Sequence, residues 1–209
     1  MAKKKIIVTP EKIALDLAVC KKVFESLNIP WLIIGGVVLG YARYNEIMPW
    51  DTDLDVVVLG DLDADGWNRL YKVFSKNNFR KFNKRFLDFQ VGMREAPIDL
   101  WIFHKNGNFY ESFPHTTPGL KFVEKAIWYD EPRMVNFLGD KYPMPNNMED
   151  YLICQYGKDW KDNVVKDHES YYLDKRGSRV VAEWPSGRGI KNGDMWPKIL
   201  KVNDTMENV

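Results

Sequence analysis

Asp51, Asp53 and Asp55 occupy alternate positions in the stretch GGVVLGYARYNEIMPWDTDLDVVV, residues 35–58, at the entrance to an apolar run. Alternate positions of a strand share a face, so these side chains point the same way if the strand begins early enough. Like charges on one face repel, and a buried carboxylate is costly unless something neutralises it. A hard divalent cation answers both problems. Mg²⁺ or Mn²⁺ takes carboxylate oxygens and keeps several coordination positions for water or substrate phosphates. Asp99, in the otherwise apolar segment PIDLWIF (residues 97–103), is the best candidate for a third carboxylate from a neighbouring strand. Ions held in this way stabilise the attacking and leaving oxygens of an in-line displacement at phosphorus. Gly35 and Gly36 fit the same chemistry, because a turn without Cβ atoms lets backbone amides approach a phosphate at a helix amino end.

The elements that must position these residues are readable from pattern. Thr9-Pro10-Glu11 is a helix start, with a hydroxyl cap, a first-turn proline and an acid at the positive dipole end. Ile13, Leu17, Cys20, Val23, Phe24 and Leu27 follow at helical spacing, and Asn28 and Pro30 close the helix. Residues 31–34 (WLII) form a short apolar strand that stops at the glycine pair, and residues 37–44 form a short helix. Residues 54–59 are a valine-rich strand. After the acidic turn GDLDADG (residues 60–66), read as solvated, Trp67, Leu70, Tyr71 and Phe74 mark a second long helix. Three strands are expected at residues 79–82, 86–91 and 98–103. Residues 105–145, rich in Pro, Gly and aromatics, read as loops with short elements. Asn147 caps a helix through Tyr151, Leu152, Cys154 and Gln155 that ends at Gly157. Alternating strands and helices that give way to consecutive strands indicate an α/β (α+β) fold with a mixed sheet flanked by helices.

Composition narrows the class. Lys+Arg number 30 and Asp+Glu 29, so no global charge draws the chain to nucleic acid. Apolar residues at 45% argue against disorder. Cys20 and Cys154 match no metal or redox motif and read as free thiols of a reducing compartment. The apolar run after MAKKK is too short for a signal peptide, and no window reaches the length of a membrane span. A cytoplasmic location is expected.

The residues quoted at the outset also carry a resemblance. Gly36, Leu39-Gly40, Arg43, and Pro49-Trp50-Asp51 followed by Asp53 and Asp55 resemble the signature of the LicD family, a branch of the nucleotidyltransferase-fold superfamily that includes the fukutin-related proteins. A second segment, VNFLGDKYPMPNNMEDYLICQYGKDW (residues 135–160), is similar to the family at Pro143, Pro145, Tyr151-Leu152, Tyr156-Gly157 and Trp160. The likeness covers roughly residues 31–160. The chain departs from the family at Val37, where Ser or Thr is usual, at Thr52, often another aspartate, and at Glu46, often glycine. The metal pair is intact, so the departures bear on substrate detail.

The resemblance implies a nucleotidyltransferase-like catalytic domain, expected over residues 1–160; it says nothing of residues 161–209, which are expected to be a C-terminal extension of unassigned role packed on the same domain. It implies Mg²⁺- or Mn²⁺-dependent transfer of a phospho-alcohol group, phosphocholine-like, from a CDP-activated donor to a hydroxyl of a glycan or similar acceptor. One alternative, from the superfamily, is transfer of a nucleoside monophosphate from an NTP to a small molecule, protein or nucleic acid. Another is a catalytically silent nucleotide-binding module. Asp53, Asp55 and Asp99 would hold the metal and carry catalysis, with Gly35, Gly36 and Arg43 facing phosphate and Asp51 and His104 in support. Arg43 has three readings: a phosphate contact, a lock on the aspartate loop, or a salt bridge to Asp51. His115 and His168 have no spacing partners. The cluster Arg80, Lys81, Lys84 and Arg85 reads as a solvated hairpin, with a clamp for a polyanionic acceptor as its functional alternative. Trp101 and Phe103 read as core.

Overall fold

The computed structural model describes residues 7–80, 89–112, 120–162 and 180–183. The first helix, α1 (Pro10–Leu27), starts at the proline and stops where Asn28 turns left-handed (φ 52°). Strand β1 (Trp31–Ile33) leads into α2 (Gly35–Tyr44), β2 (Leu54–Leu59) and α3 (Ala64–Lys76). Asp63 caps α3 by accepting the Gly66 amide at 2.6 Å, so one acid of the turn read as solvated has a structural task. Strands β3 (Phe89–Met93) and β4 (Pro97–Asn106) form a hairpin, followed by β5 (Phe109–Ser112) and β6 (Leu120–Lys125). A 3-10 turn (Ala126–Trp128), a second hairpin of β7 (Arg133–Phe137) and β8 (Asp140–Met144), and α4 (Met148–Tyr156) follow. Strand β9 (Val180–Glu183) adds to the edge of β6.

The main sheet runs β1-β2-β4-β5-β6-β9, with β3 paired to β4. The β2–β4 pair is parallel and its other pairs are antiparallel. That is a mixed sheet flanked by helices. Register assigns its two faces, since directly opposed residues share one. Leu54, Val56 and Val58 lie opposite Ile98, Leu100 and Ile102, all buried. On this side Phe24 of α1 stacks on Trp31 (5.0 Å) and meets Phe74 of α3 edge-on (5.5 Å). The other face carries Asp55, Asp99, Trp101 and Phe103. Phe103 packs on Tyr129, and Trp101 on Phe122 of β6. One side of the sheet is a hydrocarbon core, and the other begins at its β2/β4 end with carboxylates.

Several sequence expectations change. The short elements expected within residues 105–145 are strands, β5, β6, β7 and β8, which the sequence reading did not assign. Their alternation is obscured because the two-stranded β7–β8 ribbon exposes Met134, and Pro143 stands opposite it. Strand β2 begins at Leu54, so Asp51 and Asp53 precede it. Asn147 precedes α4 without a side-chain cap bond. Of the strand expected at 79–82, Arg80 makes an isolated bridge to Met93 and residues 81 and 82 lie outside the described residues. Lys81, Lys84, Arg85, His115 and His168 lie outside them too.

A buried aspartate with a purely structural role appears on α1. Asp16 is fully buried, pairs with Arg94 at 2.6 Å, and accepts the amides of Glu95 (3.0 Å) and Ala96 (2.9 Å). It fastens α1 to the β3–β4 hairpin. One cation and two N–H donors offset its desolvation.

Candidate active site

The aspartates around β2 are solvated differently from Asp16. Asp55 and Asp99 are direct cross-strand partners on β2 and β4. Burial is the largest influence on Asp55 and pushes its carboxyl well above the usual range; the charges of Asp53, Asp99 and Asp51 push further, and a hydrogen bond from Trp101 Nε1 to Asp55 Oδ1 (3.3 Å) opposes them. Asp99 is raised to about 7, by burial first and then by Asp53. Asp51 is also raised to about 7, again by burial and then by Asp53. Asp53 is therefore the common neighbour whose charge reaches the other three. Asp51 Oδ1 accepts the Thr52 amide at 3.1 Å, while its Oδ2 is buried without a hydrogen-bond partner among the described residues. Among the described residues, no three His, Cys, Asp or Glu side chains stand at metal-ligand spacing.

The glycine pair makes this crowding sterically feasible. A Cβ on Gly35 would lie 2.5 Å from Asp55 Oδ2, and one on Gly36 would lie 2.6 Å from Asp51 Oδ2. Gly35 also has φ +69°, a conformation that side-chain-bearing residues rarely take. The missing Cβ atoms make room for two carboxylates at the start of α2, whereas the sequence reading reserved that room for phosphate. The Gly35 amide donates to the Tyr151 hydroxyl at 3.0 Å. An orphan carboxylate oxygen beside a glycine helix start, with Asp53 and Asp55 in electrostatic reach, is a donor set suited to a hard cation.

Two expected participants have partners outside the carboxylate cluster. Arg43 donates from Nε to the Trp160 carbonyl (2.5 Å) and from Nη2 to that of Asp162 (2.6 Å), and makes no ion pair with Asp51 among the described residues. It ties the carboxyl end of α2 to the chain beyond α4. Its partners are 117 and 119 residues away, beyond any local pattern. His104 hydrogen-bonds through Nδ1 to Asp61, an exposed acid at the far end of β2. Five residues along β4 separate it from Asp99, roughly 16 Å of strand. His104 is thus not beside the carboxylates. Trp101, read as core, touches Asp55; its position two residues after Asp99 on the same strand face was the available signal.

A mixed sheet whose parallel central pair carries opposed aspartates, preceded by a glycine turn, is the nucleotidyltransferase fold. The lincomycin-bound lincosamide antibiotic adenylyltransferase LnuA has a similar fold, with a TM-score of 0.50 at 15% identity, over 78% of this chain and 94% of that one. Residues 28–147 match the LicD/FKTN/FKRP nucleotidyltransferase domain, and the chain belongs to that family. It is also 31% identical over 115 residues to the uncharacterized protein RT0683 of Rickettsia typhi (strain ATCC VR-144 / Wilmington), a match that takes in 50% of this chain and 36% of that protein. The chain spans about a third of that relative's length. No helix among the described residues is long and apolar enough to cross a membrane.

Proposed function

We propose that this chain is a Mg²⁺-dependent transferase that moves a phospho-alcohol group from a CDP-activated donor to a hydroxyl of a glycan or similar acceptor. The observation that carries this reading is the contrast between the buried Asp16 and the half-buried Asp51, Asp55 and Asp99. Asp16 has a cation as well as two amides; Asp51, Asp55 and Asp99 have further carboxylates as neighbours and no cation partner among the described residues. Structural ion pairs do not need such an arrangement, and a phosphate-transfer site does. LicD-family membership supports the choice of donor, and the nucleotidyltransferase fold supports nucleotide binding.

Asp53, Asp55 and Asp99 are the residues to hold the ion, with Asp51 beside them. Mg²⁺ or Mn²⁺, when bound, would neutralise donor phosphates and the charge that develops on the transferred group. Trp101 orients one oxygen of Asp55 and leaves the other for binding. One of the carboxylates around the ion would take the proton of an acceptor hydroxyl. Because no three ligands stand at metal spacing among the described residues, binding would draw at least one side chain inward. The catalytic unit is residues 1–160, and 161–209 form an extension that adds β9 to the sheet edge. We place the protein in the cytoplasm, in keeping with Cys20 and Cys154 being buried and not joined in a disulfide.

The test is a thermal-shift panel with Mn²⁺ and either CDP-choline, CDP-ribitol, CTP, ATP, UTP or GTP, followed by product analysis with the ligand that responds. A rise confined to CDP-alcohols, abolished in Asp53→Asn, is expected. Equal responses to all triphosphates would move the assignment to nucleoside monophosphate transfer. No response to any nucleotide would refute both.

A further inference from the structure

The second family-like segment has no role in the chemistry described so far, yet its contacts converge on α2. At the amino end of that helix, Gly35 donates its amide to the hydroxyl of Tyr151 on α4. At the carboxyl end, Arg43 donates to the carbonyls of Trp160 and Asp162. The segment around α4 therefore straps both ends of the helix whose first residues face the carboxylates.

Tyr151 is itself firmly held. It is buried and meets Trp128 edge-on at 5.5 Å. One residue earlier, Asp150 accepts from Trp128 Nε1 (2.8 Å) and pairs with Lys125 (3.2 Å), and one turn later Gln155 donates to Glu124 on β6 (3.3 Å). A hydroxyl fixed this way sets where the Gly35 peptide lies. The Gly35 Cα in turn sits so close to Asp55 that a Cβ would fall 2.5 Å from Oδ2. Any shift of that peptide changes the space open to the Asp55 carboxylate.

We propose that Tyr151 is a positioning residue for the carboxylate site: its hydroxyl fixes the left-handed Gly35 peptide and, through it, the Asp55 carboxylate that receives the divalent ion. The metal part of this statement rests on the proposed function; the positioning part rests on the contacts alone.

The test compares Tyr151→Phe with Ile13→Val, a core trimming in α1 on the opposite face of the sheet that costs comparable stability. Two readouts are taken on the full chain: Mn²⁺ affinity by electron paramagnetic resonance, and, without metal, Gly35 amide exchange with the Asp55 carboxyl ¹³C shift by NMR. The expected result is Mn²⁺ binding weakened about tenfold in Tyr151→Phe, as for loss of a group that orients a metal ligand, and within twofold of wild type in Ile13→Val. Unchanged affinity in Tyr151→Phe, or equal weakening in both variants, overturns the proposal. If the wild type itself binds no Mn²⁺, the metal reading fails and the NMR decides the rest. Faster Gly35 exchange with a moved Asp55 signal in Tyr151→Phe alone upholds positioning, and unmoved signals overturn it.

Discussion

Replacing Asp99 by asparagine should stabilise the metal-free protein at pH 8. The Asp99 carboxyl titrates at about 7 in place of its ordinary 3.8, through burial and the Asp53 charge. At about 1.4 kcal/mol per tenfold change in proton affinity, holding it ionised in the folded state costs roughly 4 kcal/mol. An amide of the same shape carries no charge but keeps part of the desolvation cost, so about half should be recovered, or ~2 kcal/mol. In a domain of this size that raises Tm by about 4–8 °C. The pH dependence follows from the same shift. Below pH 3.8 the folded and unfolded chains both carry the proton. Between that value and about 7 the folded chain holds it more tightly, so wild-type stability falls as pH rises and levels off above about 7. Asp51 adds a fall over the same window. Calorimetric melts of both proteins from pH 5 to pH 8, with EDTA present, supply the comparison. At about 1.4 kcal/mol per pH unit below 7, the wild-type cost has fallen by ~2 kcal/mol near pH 5.5, where the two should melt together. A variant no more stable than wild type at pH 8, or a wild type that gains stability as pH rises, would refute the reasoning.

Further outcomes follow from the same geometry. Gly36→Ala places a Cβ 2.6 Å from Asp51 Oδ2; it should fold, since alanine suits a helix, but bind Mn²⁺ about tenfold more weakly, read by equilibrium titration. Asp16→Ala strands Arg94 and two amides and should cost about 3–5 kcal/mol in urea unfolding. Arg43→Ala removes two charged hydrogen bonds to carbonyls and should cost roughly 2–3 kcal/mol by thermal melt. Arg43→Lys should recover less than half, because an ammonium cannot span both acceptors as the guanidinium fork does.

Legibility in the sequence tracked how local each cause was. The valine run 54–59 and the Pro10–Leu27 helix have local causes, and both elements fall where pattern puts them. The pairing of Asp55 with Asp99 depends on a parallel register between strands 44 residues apart, which a lone aspartate in an apolar strand can suggest without fixing. Asp16 sits among apolar positions of α1 and looks like an ordinary polar residue, because its partners Arg94, Glu95 and Ala96 lie on a distant hairpin. The strands of residues 105–145 were hidden by exposed apolar residues and by Pro143, which a two-stranded ribbon accommodates. His104 was placed near the site by strand membership, yet Asp61 holds it at the far end of β2, and the carbonyl partners of Arg43 lie too far along the chain for any local pattern to show them.

The most direct measurement is Mn²⁺ binding to the purified chain at pH 7.5, followed by electron paramagnetic resonance for wild type, Asp53→Asn and Asp16→Asn. Saturable binding by wild type and Asp16→Asn, lost in Asp53→Asn, is the result that acids gathered around β2 and β4 to hold a cation must give. Binding that survives in Asp53→Asn, or none in the wild type, would contradict it.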